Sequence, residues 1–278
     1  MYPFIAGTLF LISILVISVL ALASQAPQPG KPSQSSAVPD PAPITDSKVN
    51  PPIADYRYPE RQTFTYGVDW RLLTAGTTVV QFDTVNGERH VVVTADSTGA
   101  VALLYHVHDK LETFFNPQSN CALQLIKHTE EGFRRVETSV RYDYHAAKAV
   151  LDERNIRAKN QKHEENDIPP CVTNTVSAAL YVGSQPLQQG TKFRFPSSDG
   201  GKAADIEVTV EGREKVKTPS GSYNTIRVSA EALNGPQKGK GKVWIWYSDD
   251  QKRMAVQMRL RAFWGTIVFH LAQIRNGA

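Results

Sequence analysis

The chain has 278 residues, 41% of them hydrophobic and 21% charged, a balance that suits a globular fold and excludes general disorder. The net charge of +4 is spread in pairs such as Arg134-Arg135 and Lys252-Arg253. Its densest run, at Lys238, Lys240 and Lys242, reads as a solvated glycine-lysine loop, so no nucleic-acid partner is expected.

Residues 4–23 are apolar apart from Thr8, Ser13 and Ser18 and carry no charge. A run of about 20 apolar residues matches the thickness of a bilayer. Ala21-Leu22-Ala23 has the form of a signal-peptide cleavage site, so residues 1–23 read as a signal peptide or an uncleaved membrane anchor. No cysteine follows the run, which leaves lipid attachment without support. Either reading puts the rest of the chain in the periplasm or another extracytoplasmic space, with the inner membrane reached through this segment. Residues 24–58 are rich in Pro, Ser, Gln and Ala and predict a disordered tether, because they offer too little apolar surface to offset their ordering entropy. A single domain is then expected over 59–278.

Beyond residue 58, alternation at period two dominates the chain. Phe64, Tyr66, Val68 and Trp70 alternate with smaller or polar residues, as a half-buried strand does. Residues 76–82 and 90–94 read as strands joined at Asn86-Gly87, a pair suited to the positive φ angles of a type I′ turn. Strand-like runs continue at 101–107, 111–115, 122–128 and 136–144, with a short one at 149–151. The polar stretch 152–167 reads as a loop. Residues 171–182 are the best helix candidate, with Thr173 or Asn174 as cap and Val176, Ala179 and Leu180 on one face. Strands resume at 192–195, 206–211, 225–230, 242–247, 255–262 and 266–274. Thr218-Pro219-Ser220-Gly221 has the residues of a tight turn. So many strands with so little helix between them predict a mostly β fold: one strongly curved antiparallel sheet or incomplete barrel with a short central helix.

Two cysteines in an exported chain predict a disulfide between Cys121 and Cys171, tying the helix to a strand. Chemistry is scarcer. His106 and His108 would share one face of a strand, yet further ligands for a metal are only scattered, so no metal and no cofactor is assigned. Ser177 lies within the predicted helix rather than on a nucleophile elbow, and no phosphate loop or dinucleotide fingerprint is present. Asp249-Asp250 and Glu130-Glu131 fall in turns. No catalytic residue is assigned. Trp244 and Trp246 share one face of their strand and Val243, Ile245 and Tyr247 the other, so the strand is either covered on both sides or shows one face to an apolar pocket. Trp244 and Trp246 are therefore the candidate ligand-binding residues.

The series Phe64-Thr65-Tyr66-Gly67-Val68-Asp69-Trp70, Ser177-Ala178-Ala179-Leu180-Tyr181, Val208-Thr209-Val210-Glu211-Gly212, residues 218–225 and Val243-Trp244-Ile245-Trp246 resembles the bacterial domain-of-unknown-function family 3108, over roughly residues 61–271. The resemblance implies an exported β-rich envelope domain and supplies no catalytic residues. The family usually places an acidic residue just before the helix, where this chain has Asn174-Thr175. The layout is also similar to that of periplasmic lipoprotein carriers of the half-barrel kind, an analogy of fold alone. The resulting expectation is a non-enzymatic envelope protein that binds a lipid-like, apolar or amphipathic ligand or an envelope protein. A partner-binding scaffold without a cavity is the first alternative, and a hydrolase with a carboxylate or histidine site the second.

Overall fold

In a computed structural model, which describes residues 46–71, 73–262 and 265–277, the expected mostly β architecture is present as one 14-stranded antiparallel sheet. In chain order the elements are β1 (Gln62–Trp70), β2 (Leu73–Val85), β3 (Glu88–Ser97), α1 (Gly99–Leu104), β4 (Val107–Phe115), β5 (Ala122–Glu131), β6 (Arg134–Asp143), β7 (Lys148–Asn155) and β8 (Asn160–Asp167). Then come α2 (Thr175–Gly183), β9 (Lys192–Ser197), β10 (Ala204–Thr218), β11 (Gly221–Ala232), β12 (Gly241–Ser248), β13 (Ala255–Ala262) and β14 (Gly265–Asn276). The signal peptide or anchor expected at 1–23 lies outside the described residues. Among those described, no helix is long and apolar enough to cross a membrane.

Every named strand pairs with its sequence neighbour except at one seam. There the first and last strands meet, Gln62 opposite Asn276 through Trp70 opposite Ile267, so the order runs β8 to β1 and then β14 back to β9. Register shifts at Thr65/Tyr66, Val68/Asp69, Phe114/Phe115, Val210/Gly212 and Trp246/Tyr247 bend the sheet, as bulges do. Gly76 lets β2 and β3 approach closely, since a Cβ there would sit 2.2 Å from the Asp96 carbonyl oxygen. Asn86 and Gly87 both adopt positive φ in the expected hairpin.

The sheet curls without closing. Its edges, β8 and β9, are joined by other means. Thr173 makes a parallel bridge to Ser197, donates to the Pro196 carbonyl and accepts from the Ser198 amide. The β9–β10 turn reaches across to β6 and β8, where the Tyr142 hydroxyl donates to Ser198 O at 2.6 Å and Asn166 Nδ2 donates to Gly200 O at 3.0 Å.

Three apolar clusters fill the concave side. One draws on β1–β4, β14 and α1, a second on β9–β12, and a third on β5–β7 with Ile168 and Val172. α2 lies between the first two. Its Val176 and Leu180 pack on the first, while Ala178, Ala179, Tyr181 and Val182 belong to the second.

Three expectations need correction. Residues 101–107 are not a strand: α1 occupies Gly99–Leu104 and β4 begins at Val107. The run Val101-Ala102-Leu103-Leu104 is apolar without alternation, so its period could not separate helix from strand. Gly99, at φ +57°, turns the chain out of β3, and only Val101 of the helix is buried. Second, residues 152–167 are no loop but the end of β7 and all of β8, paired from Lys148–Asp167 to Asn155–Asn160. This hairpin covers little core, so it has no apolar alternation to read. Its cross-strand pairs are ionic, with Lys148 Nζ 2.6 Å from Asp167 and His163 Nδ1 2.7 Å from Asp152, and a charged edge of this kind discourages pairing with other chains.

Third, the tether does not stay loose up to residue 58. Residues 48–58 form a strap across the mouth of the sheet where β1 begins. Ile53 N donates to Ser184 O at 3.0 Å, Asn120 Nδ2 donates to Asn50 O at 3.0 Å, and Tyr56 is buried. Tyr56 and Tyr58 stack edge-on at 4.8 Å, and Tyr58 packs on Phe115. The proline content of the tether masked these few large side chains, which supply the apolar surface that its earlier part lacks.

Candidate functional site

The interior is occupied from its N-terminal helix cap outward. Asn174 caps α2, its Oδ1 accepting from the Val176 and Ser177 amides, while Ser177 Oγ accepts from Asn174 N. This reciprocal box is the role of Ser177, and the pair is fully buried. Asn174 Nδ2 also donates to Thr113 Oγ1 at 2.6 Å, pinning the helix to β4. A carboxylate reaches the start of the helix from a distant turn: Asp199 Oδ1 accepts from Thr175 N at 2.9 Å and Oδ2 from Thr175 Oγ1 at 2.7 Å. Lys127 Nζ, 2.8 Å from Asp199, balances that charge on the inner face of β5. An anion there also suits the positive end of the helix dipole. The expected disulfide joins Cys121 to Cys171 with Cα atoms 5.1 Å apart, fixing the entry to α2 against the start of β5.

Large side chains complete the filling. Tyr181, Tyr247, Phe64, Phe115 and Phe195 are among the fully buried ones, and Tyr247 Oη donates to Ala179 O at 2.6 Å. Burial raises the Tyr66 and Tyr247 hydroxyls above their ordinary range, so both stay neutral donors. The hollow between α2 and β2–β4, bounded by Tyr58, Phe82, Val91, Phe115 and Leu180, has no room for a water molecule. Beside the strap, an open cleft of about 490 Å³ is lined by Pro52, Ile53, Tyr56, Tyr58, Arg89 and Pro117 among others.

Trp244 and Trp246 lie on the outer side of the sheet, opposite Ile245 and Tyr247, which belong to the interior. Trp246 is buried there by Val216 and Val256. Its Nε1 donates to Glu214 Oε1 at 2.7 Å, and the Arg259 guanidinium covers the ring at 5.4 Å. Trp244 repeats the pattern, donating to Glu211 at 3.2 Å with Lys242 over its ring at 5.5 Å. Arg227 lies between the two acids, 2.7 Å from Glu211 and 2.9 Å from Glu214. Burial pushes the Glu211 carboxyl up, but hydrogen bonds from Ser229 and Trp244 and the Arg227 charge hold it below its ordinary value. The result is an outer ladder of indoles, acids and guanidinium groups across β10–β13, which covers the second apolar face that the sequence shows on β12.

The remaining candidates scatter. His106 precedes β4, while His108 pairs with Asp96 at 2.6 Å, exposed to solvent. No group of three or more potential metal ligands comes together among the described residues. Asp249 pairs with Arg213 and Arg253, and Asp250 accepts turn amides from residues 252 and 253.

One buried carboxyl pair is missing from the candidates that the sequence offers. Asp109 on β4 and Glu131 at the end of β5 both point inward, beneath Tyr105, and are nearly inaccessible. Burial, then the neighbouring Glu131, pushes the Asp109 carboxyl up to about 8, although the Glu130 amide donates to it at 2.9 Å. Alternation alone would have marked Asp109 as inward, since it falls between Val107 and Leu111. Its acidity argued the other way.

These features define a barrel-like β domain whose interior is taken up by its own helix and aromatic side chains. The chain belongs to the family described as "Protein of unknown function (DUF3108)", whose model matches residues 65–272. No curated protein matches it. Among solved structures, it is similar to a β-barrel-like protein of domain of unknown function DUF1849 from Brucella abortus, at 8% identity and a TM-score of 0.55, covering 82% of this chain and 98% of that one. A more distant likeness, at 11% identity and a TM-score of 0.36, is to a protein with a YmcC-like fold from Bacteroides fragilis, covering 79% and 98%.

Proposed function

We propose that this chain is an extracytoplasmic, non-enzymatic scaffold of the cell envelope that binds its partner on the outside of the sheet rather than carrying a ligand within it. The observation that carries this reading is the filled interior: α2, Tyr181, Tyr247 and Phe115 occupy the space where a half-barrel carrier would hold a lipid. The extracytoplasmic placement rests on the Cys121–Cys171 disulfide and the apolar run 4–23. Native mass spectrometry of the full chain, extracted from membranes in mild detergent, is expected to give the mass of the polypeptide alone. A stoichiometric hydrophobe that survives extraction would refute the scaffold reading in favour of a carrier. Under the scaffold reading, Trp246→Ala lowers stability but releases no ligand.

A further inference from the structure

One end of the sheet is built unlike the other. In an antiparallel meander alternate turns share an end, and the β1–β2 turn, α1, the β5–β6 turn and the β7–β8 turn lie side by side away from the strap. They touch in sequence around the rim. Thr98 N donates to Ala75 O at 3.0 Å, Gly132 N to His106 O at 2.8 Å, and Ile156 N to Arg135 O at 2.9 Å. Arg157 bridges two turns, donating to Phe133 O at 3.1 Å with its guanidinium 5.0 Å from the Phe133 ring.

Among the described residues, this rim carries most of the large apolar side chains left in water: Leu73 at 55% exposure, Leu103 at 90%, Leu104 at 76%, Phe133 at 83% and Ile156 at 41%. Single exposed hydrophobes need no explanation, but five on adjacent tips form a patch that does. The same tips, residues 71, 73, 98–106, 132–135 and 155–160, hold Arg71, Arg134, Arg135, Arg157 and Lys159 and no Asp or Glu. The carboxylates nearest the rim are turned inward or paired: Glu131 and Asp109 are buried, and Glu130 is 2.9 Å from Arg135.

Protruding apolar tips ringed by cations match the acyl–headgroup boundary of an anionic bilayer. The apolar side chains enter the boundary and the arginines and lysines stay at the phosphates. We infer that this rim docks the domain onto an anionic membrane surface, holding the strap mouth and its cleft away from the lipid. The inference rests on the envelope reading above and assigns the surface by which the scaffold meets the membrane. A protein partner would fit a flatter face with both charge signs better than these tips.

The test is hydrogen–deuterium exchange of the full chain reconstituted in vesicles of phosphatidylcholine alone and of phosphatidylcholine mixed with phosphatidylglycerol. Peptides spanning 99–106, 131–135 and 155–160 are expected to exchange more slowly in the anionic vesicles only. The effect should vanish at high salt, while the turn at 249–254 at the opposite end stays unchanged. Lys159→Gln should reduce the protection about fivefold. The double variant Leu103→Ser, Phe133→Ser should abolish it without moving the melting temperature, because both side chains are exposed. Equal exchange of the rim in the two vesicle types overturns the inference. So does protection that appears only when soluble envelope proteins are added, which would make the rim a protein surface. A hydrophobe bound in the interior would sink the scaffold reading and leave the exchange pattern intact, so the two failures are distinguishable.

Discussion

Asp109 offers the sharpest quantitative test of the folded structure. Its carboxyl rises from an ordinary 3.8 to about 8 on folding, mainly through burial and then through Glu131. The folded state therefore holds a proton that the unfolded chain has released. The stability that this proton supplies is complete below about pH 4 and is lost as pH rises toward 8, at about 1.4 kcal/mol per pH unit. Between pH 5 and 7 the loss is about 3 kcal/mol, or roughly 5–10 °C in melting temperature for a domain of this size. Carboxyls held below their ordinary values, such as Glu112 and Asp249, act with the opposite sign and only in more acid solution. Asp109→Asn keeps an acceptor for the Glu130 amide and removes the titration. Thermal unfolding followed by circular dichroism from pH 5 to 8 should show the variant gaining stability relative to wild type by about 1.4 kcal/mol for each pH unit toward pH 8. Parallel curves, with a constant difference across that range, would refute the assignment of a neutral buried Asp109.

Reducing Cys121–Cys171, which spans 50 residues, is expected to cost about 4 kcal/mol, read as a shift of the urea midpoint with and without reductant. Asn174→Ala removes both the α2 cap and a buried bond to Thr113 and should cost about 2 kcal/mol in the same assay, whereas a neutral result would mean that the cap is dispensable. Gly200 sits at φ +98°, and a Cβ there would lie 2.6 Å from Leu151 Cδ1, so Gly200→Ala should destabilise by more than about 1 kcal/mol and loosen the β9–β10 turn from β5–β7.

The parts of this fold that were legible in the sequence are those where one face of a strand is wet and the other dry. Residues 64–70 and 206–211 announced themselves by alternation, Asn86-Gly87 by its turn chemistry, and Asn174 by its place ahead of a helical apolar set. The β7–β8 hairpin escaped because an edge that buries little has no hydrophobic period, and backbone pairing leaves no mark on side-chain choice. α1 escaped because four consecutive apolar residues carry no phase, and two of them proved to be exposed. The two faces of β12 were visible, but which face was interior was not. That depends on the direction of curvature, and the outer cover comes from Glu211, Glu214 and Val216, more than 25 residues away in the chain. Asp199 at the head of α2 was invisible for the same reason: a carboxylate delivered by a distant turn looks like any other loop aspartate.

The seam between β1 and β14 sets the order in which the molecule can assemble. Its pairing joins Gln62 to Asn276, the most distant partners in the sheet, while every other rung links strands adjacent in sequence. Each wing, β2–β8 and β9–β13, can zip by successive hairpins as the chain emerges, but the central rungs wait for the last dozen residues. Joining them closes a loop of about 200 residues, a late and slow step in a high-contact-order topology. Until then β1 and β13 expose edges and the α2 cluster lacks one wall. A chain stalled or truncated before β14 would thus be left as two half-sheets with their apolar faces open, the state that holding chaperones recognise and proteases remove.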